Sequence, residues 1–196
     1  TIPDTVTSMD ANGDQFANCT AVTSVKLSKN LTELPKTAFF TCKSLKHLPD
    51  LSNVTSVGTS CFAGCAALEE MVIPESLTFI GANAFARSSL TEITVLGDPQ
   101  GLDSAFYNSL NLTTLVAPRL TTIGKQMFQG CTALVNFIVP DNVTFIGERA
   151  FQGCTNLKTL TFPASYKAET LSFGLTPFVS CPAFEGYVIE DGASIV

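Results

Sequence analysis

The sequence has no tryptophan, 3 tyrosines and a single histidine, His47. That leaves little material for acid–base chemistry, and no G-x-S-x-G, H-E-x-x-H, Walker A or G-x-G-x-x-G motif is present. Neither an enzyme nor a cofactor site is expected. Charge is scarce too, at 14% of residues against about 25% in an ordinary globular protein. The 11 Lys and Arg are outnumbered by 17 Asp and Glu, giving a net charge of −6, the wrong sign for a phosphate-binding surface. Nucleic acid and anionic lipid are therefore not expected as partners. No apolar run reaches the roughly 18–20 residues that span a bilayer, and no basic segment leads into an apolar one at the start, so membrane insertion is not expected either. With 45% hydrophobic residues, disorder is excluded. The surplus lies in 15 Phe and 7 Cys.

That surplus is periodic. Phenylalanines at 16, 39, 62, 85, 106, 128, 151 and 178 are separated by 23, 23, 23, 21, 22, 23 and 27 residues. Each is followed three residues later by Cys or Ser, and then by an apolar residue, as in Phe62-Ala63-Gly64-Cys65 to Leu68 and Phe151-Gln152-Gly153-Cys154 to Leu157. Upstream stands an apolar residue with Gly: Val57-Gly58, Ile80-Gly81, Ile123-Gly124, Ile146-Gly147, Phe173-Gly174. Downstream runs Leu-x-x-apolar-x-apolar, often ended by Pro, as in Leu68 through Pro74. Alternation of period two predicts one short parallel strand per repeat, and the Pro ends its ladder. The Gly predicts a tight turn or a close approach, and the residues around the Phe a single helical or 3₁₀ turn. Eight such units, none able to bury its apolar face alone, predict a solenoid about 40 Å long at ~4.8 Å per turn.

The stretches Ile73-Pro74-Glu75-Ser76-Leu77-Thr78-Phe79-Ile80-Gly81 and Val139-Pro140-Asp141-Asn142-Val143-Thr144-Phe145-Ile146-Gly147 resemble the BspA-type leucine-rich repeats. The resemblance implies an α/β, right-handed leucine-rich-repeat solenoid over residues 1–196 as one domain, with little helix and about eight repeats. It also implies a secreted or cell-surface protein of bacteria or protozoa, and adhesion to host matrix. The pattern departs from the family at Leu34-Pro35, at Leu96–Asp103, where Gly101-Leu102 replaces the Ile-Gly pair, and at the Tyr166–Thr170 insertion.

Six cysteines, at 19, 42, 65, 131, 154 and 181, share one repeat column with Ser88 and Ser109. In-register rungs sit about 4.8 Å apart at Cβ, whereas a disulfide wants about 3.8 Å. Buried thiols hydrogen-bonded to backbone are expected, since a column does not converge on a metal. Cys61 takes the place of an Ala; its spacing to Cys65 also fits a metal or redox pair.

Two columns point outward from the strands, onto the expected concave face. One reads Ser24, His47, Glu70, Glu92, Thr114, Asn136, Thr159, Gly186, and the other Lys26, Pro49, Val72, Thr94, Val116, Ile138, Thr161, Val188. His47 is placed in a strand Leu45–Leu48 beside Glu70, as a solvated pair or a weak metal site. Toward the C-terminus the face becomes an uncharged, β-branched strip, and exposed apolar patches mark interaction surfaces. The candidate ligand-binding residues are therefore His47, Glu70, Val72, Glu92, Thr94, Thr114, Val116, Asn136, Ile138, Thr159 and Thr161. The expected function is non-catalytic recognition of a protein or glycan, host matrix included; the alternative is a structural spacer presenting another domain. Asn18, Asn30, Asn53, Asn111 and Asn142 begin N-x-T tripeptides, read either as a repeated turn motif or as glycan acceptors in a secreted eukaryotic protein. The chain opens in mid-repeat, without Met or a cap, as expected of a piece of a longer protein or of chains that pair end to end.

Overall fold

The computed structural model describes residues 1–164, 166, 170–190 and 194–195. The strands in the first half are β1 (Glu33–Leu34), β2 (Ser56–Val57), β3 (Glu70–Ile73), β4 (Phe79–Ile80), β5 (Glu92–Val95), β6 (Gln100–Gly101) and β7 (Thr114–Val116). Those in the second are β8 (Thr122–Ile123), β9 (Asn136–Ile138), β10 (Phe145–Ile146), β11 (Thr159–Phe162), β12 (Ser172–Phe173), β13 (Gly186–Ile189) and β14 (Ser194–Ile195). They form a parallel β-solenoid of about seven turns, one for each of the seven intervals along the ladder of phenylalanine anchors. On one wall β3, β5 and β7 pair in order, and β9, β11 and β13 continue the wall as a second sheet. The only antiparallel pair among the described strands is β13 with β14, which lies along the edge of the last turn.

The alternation that predicts these strands sets their faces. In β3, Glu70 and Val72 are exposed while Met71 and Ile73 are buried, and β5 repeats the alternation with Thr94 half-buried. Beneath them Leu45, Leu68, Leu90, Leu112, Leu134 and Leu157 form a fully buried column. The eight anchor phenylalanines stack with ring centroids 5.2 to 6.1 Å apart and planes within 20° of parallel. Each stacked pair adds about 0.5–1.5 kcal/mol beyond the area it buries.

A second wall, made of two-residue strands, is the main feature that periodicity does not reveal. β1, β2, β4 and β6 pair in order, as do β8, β10 and β12. Each lies just before the Gly column, where the turns approach closely. A Cβ added at Gly58, Gly81 or Gly174 would lie 2.4 to 2.5 Å from a backbone nitrogen of the preceding turn. No side chain fits there without moving the ladder.

The helical turn expected around the anchor is absent, and no α-helix occurs among the described residues. The residue two before each anchor has positive φ in all eight repeats: Asp14, Thr37, Ser60, Asn83, Ser104, Gln126, Arg149 and Thr176. The residue two after does as well: Asn18, Thr41, Gly64, Arg87, Asn108, Gly130, Gly153 and Ser180. Left-handed residues on both sides prevent a right-handed helix from propagating. They instead aim the backbone between turns, so that Thr37, Phe39 and Thr41 N–H donate to Thr59, Cys61 and Ala63 carbonyls at 2.9, 2.8 and 2.8 Å. Only three of the sixteen residues in these two columns are Gly, which leaves the alternation almost silent in the sequence.

The departures from the repeat are accommodated locally. Gly101 stands opposite Ile80 with φ 95°, and Leu102 takes the Gly column with φ 64°, so the ladder continues through the irregular turn. Glu33–Leu34 pairs with Ser56–Val57, and Pro35 stands in the column where Gly58 and Gly81 donate N–H to Leu34 O and Val57 O of the preceding turn; it has no N–H to give, and β1 is the edge of the sheet. Within the insertion, Tyr166 packs 4.6 Å from Phe162 and its hydroxyl donates to Val143 O at 3.1 Å; residues 165 and 167–169 lie outside the described residues.

Candidate functional site

The outward columns fall in register as the repeat predicts. Glu70 faces Glu92 and then Thr114, while Val72 faces Thr94 and then Val116. Asn136 faces Thr159 and then Gly186, and Ile138 faces Thr161 and then Val188. The strands β7 and β9 are neighbours but share no ladder, so the face is two abutting sheets rather than one. Val72, Val116 and Ile138 are 57%, 45% and 59% exposed, while their sequence neighbours are buried except for the half-buried Leu115. Thr94, between Val72 and Val116, and Thr161, next to Ile138, are half-buried, and neither carries charge. Thr159 Oγ1 donates to Asn136 Oδ1 at 3.0 Å, which fixes the polar row beside the apolar one.

His47 is exposed, but the expected strand Leu45–Leu48 does not form; the sheet begins at Glu70. Pro49, expected to point outward in the row of Val72, is instead buried, and it has no N–H to give the ladder. The first two turns are therefore joined only loosely on this wall, for instance by Lys46 N donating to Thr23 O at 3.2 Å. His47 lines a shallow depression of about 310 Å³ with Lys46, Ala67, Glu69 and Glu70. No ion pair joins His47 to Glu70 among the described residues, and no three His, Cys, Asp or Glu side chains among them converge to hold a metal ion. Glu70 and Glu92 meet as like charges in register, a mildly unfavourable pairing that solvent exposure screens.

The cysteine column is structural. Cys42, Cys65, Cys131, Cys154 and Cys181 each donate Sγ–H to the carbonyl of the anchor phenylalanine one turn earlier, at 3.1, 3.4, 3.2, 3.1 and 2.9 Å. All seven cysteines are free thiols. Burial pushes Cys65 and Cys131 up to about 12, and raises Cys61 and Cys154 further still. A thiol held protonated in this way is neither a nucleophile nor a metal ligand. At the serine rungs, Ser88 Oγ donates to Phe85 O at 3.0 Å and lies 3.0 Å from Ser109 Oγ, so the pair is satisfied within the column.

Outside the expected face, Phe79, Phe145 and Phe173 are 46%, 38% and 42% exposed on the second wall. Phe79 and Phe145 carry a signal in the repeated Phe-Ile-Gly, whereas Phe173 stands in the Ile row opposite Ile146; period two assigns no strand to so short a segment. Leu110 and Val135 are also exposed, in the approaches to β7 and β9.

Among solved structures the chain is similar to a leucine-rich repeat protein from Bacteroides ovatus, at 22% identity and TM-score 0.63 over 90% of this chain. It spans 57% of that protein's length. It is also similar to a leucine-rich repeat protein of T. pallidum, at 25% identity and TM-score 0.50, covering 88% of this chain and 87% of that one. No curated protein matches. The family described as BspA type leucine rich repeat region matches residues 1–103 and 100–174 in six copies. With its ladders of Phe, Cys and Gly, the chain belongs to the BspA-type leucine-rich repeat family.

Proposed function

We propose that this chain is a non-catalytic recognition module of a secreted or cell-surface protein, taking a protein or glycan ligand on the wall built by β3, β5, β7, β9 and β11. The observation that carries the reading is the exposed row Val72, Val116 and Ile138, in register with the uncharged Thr94 and Thr161. Covering such a row removes apolar area from water at about 25 cal/mol per Å², and flat strands already fixed by the ladder lose little entropy when they are covered. The flanking polar row of Thr114, Asn136 and Thr159 supplies hydroxyl and amide groups for directional contacts. Membership of the BspA-type family supports the surface location.

The test is binding of the purified chain to immobilised matrix glycoproteins and to a glycan array. Val116→Lys and Ile138→Glu are expected to lower affinity at least tenfold, while Gln100→Lys on the second wall leaves it unchanged. Absence of binding across both panels, or binding indifferent to the two charge substitutions, overturns the reading.

A further inference from the structure

The five Asn-x-Thr tripeptides each begin inside a hydrogen-bonded turn, with Asn18 alone in the left-handed conformation. Asn18, Asn30, Asn53, Asn111 and Asn142 are all exposed. Each is the third residue of a turn closed by a backbone hydrogen bond from the fourth residue to the first: Cys19 to Phe16, Leu31 to Ser28, Val54 to Leu51, Leu112 to Ser109 and Val143 to Pro140, at 2.9 to 3.3 Å. Asparagine suits such a turn tip, which accounts for its recurrence. The side chains then divide into two groups. Asn18 Oδ1 accepts from Thr41 Oγ1 at 2.5 Å, and Asn30 and Asn142 Nδ2 donate to the Asp4 and Pro118 carbonyls, each at 2.7 Å. These three are struts between turns. Asn53 and Asn111 have no side-chain hydrogen bond among the described residues, so turn-to-turn bracing does not explain their amides.

We propose that Asn53 and Asn111 are attachment sites for N-linked glycans. The side-chain amide nitrogen forms a bond to the anomeric carbon of an oligosaccharide carried on a polyprenyl pyrophosphate. The bond from that carbon to the pyrophosphate oxygen breaks, the polyprenyl pyrophosphate leaves with the electron pair, and the nitrogen gives up one proton. Thr55 and Thr113 supply the hydroxyl two residues on; both are exposed, and in the folded chain their hydroxyls donate to Thr32 O and Thr91 O of the preceding turn at 3.1 and 3.0 Å. The folded chain accommodates a glycan at either turn tip without losing an inter-turn bond. Their placement has a consequence for the exposed wall. Asn53 lies in the turn leaving that wall toward β2, and Asn111 in the turn entering β7, on opposite margins of the face. Neither occupies a row that points outward from the strands, so neither glycan is attached within the row of Val72, Val116 and Ile138. The proposal does not depend on the recognition role.

The test is to secrete the full chain from eukaryotic cells that glycosylate, release N-glycans enzymatically in ¹⁸O-water, and map by mass spectrometry the asparagines converted to labelled aspartate. Label at both Asn53 and Asn111 is expected. Asn53→Gln and Asn111→Gln should each remove the mass of one glycan from the intact protein, with Asn53→Asp and Asn111→Asp as substitutes if a glutamine variant is not secreted. An unlabelled Asn53 or Asn111 overturns the proposal, whatever is found at Asn18, Asn30 and Asn142. Because the readout is mass alone, this outcome is separate from any failure of ligand binding.

Discussion

Removing one ring from the middle of the phenylalanine ladder tests the packing most sharply. Phe85 is fully buried, with Phe62 5.6 Å away on one side and Phe106 6.1 Å away on the other. Phe85→Ala removes the transfer free energy of the ring, opens a cavity and abolishes two stacked contacts. The expected cost is about 3–5 kcal/mol. Because each repeat is stabilised chiefly by its two neighbours, that cost falls on the coupling between the halves of the array. Phe16, half-buried in the first turn, stacks on one anchor only, Phe39 at 5.5 Å, and Phe16→Ala is expected to cost about half as much. The assay is urea unfolding followed by far-ultraviolet circular dichroism, since the chain has no tryptophan. At a slope of about 2 kcal/mol per molar urea, Phe85→Ala should lower the midpoint by roughly 2 M, or split the transition in two. Equal midpoint shifts for the two variants, or a shift below about 0.5 M for Phe85→Ala, would refute the nearest-neighbour reasoning.

Gly81→Ala should destabilise by about 1–3 kcal/mol or more. Its Cβ would lie 2.5 Å from Thr59 N, whereas Gly97→Ala meets nothing nearer than 3.3 Å and should cost clearly less; the two urea midpoints side by side decide this. The buried thiols predict an alkaline loss of stability. Burial raises Cys65 and Cys131 from the ordinary thiol value of 9.0 to about 12, so the folded chain holds more protons between those values. Their contribution is complete below pH 9 and falls above it by about 1.4 kcal/mol per pH unit per thiol, until the folded value is reached. Urea midpoints at pH 8, 9.5 and 10.5 should decline more steeply for the native chain than for a Cys65→Ala, Cys131→Ala double variant; parallel declines would contradict the assignment. Thiol labelling of the folded chain at pH 8 should modify the half-buried Cys19 and Cys181 first and leave the five fully buried cysteines unmodified until unfolding.

The solenoid was legible because its interior is written in columns: Phe, Cys, Leu and Gly recur at one spacing, and stacking is the only way to bury them all. The Cys column was readable down to its chemistry, since in-register rungs are too far apart to bridge and too linear to bind a metal. The second wall was not, because β2 or β4 shows only two residues and period two needs more. Nor was the left-handed backbone around each anchor, for Thr37, Gln126 and Arg149 occupy a conformation that composition assigns to Gly or Asn. Tertiary ladder bonds hold those residues there, and such bonds leave no local signature. At the candidate site the register of Glu70, Val72, Val116 and Ile138 came directly from the repeat, whereas His47 lost its strand to Pro49, a missing donor that outweighs a favourable pattern.

The recognition proposal places the ligand on the exposed wall. Hydrogen exchange of the chain, free and saturated with whichever matrix glycoprotein or array glycan it binds, reads this directly. The amides of β7, β9 and β11 and of the turns leading into them should gain protection on binding, while β4, β6 and β10 on the opposite wall stay unchanged. Protection confined to the wall that carries Phe79 and Phe145 would place the ligand on the opposite face and overturn the proposal.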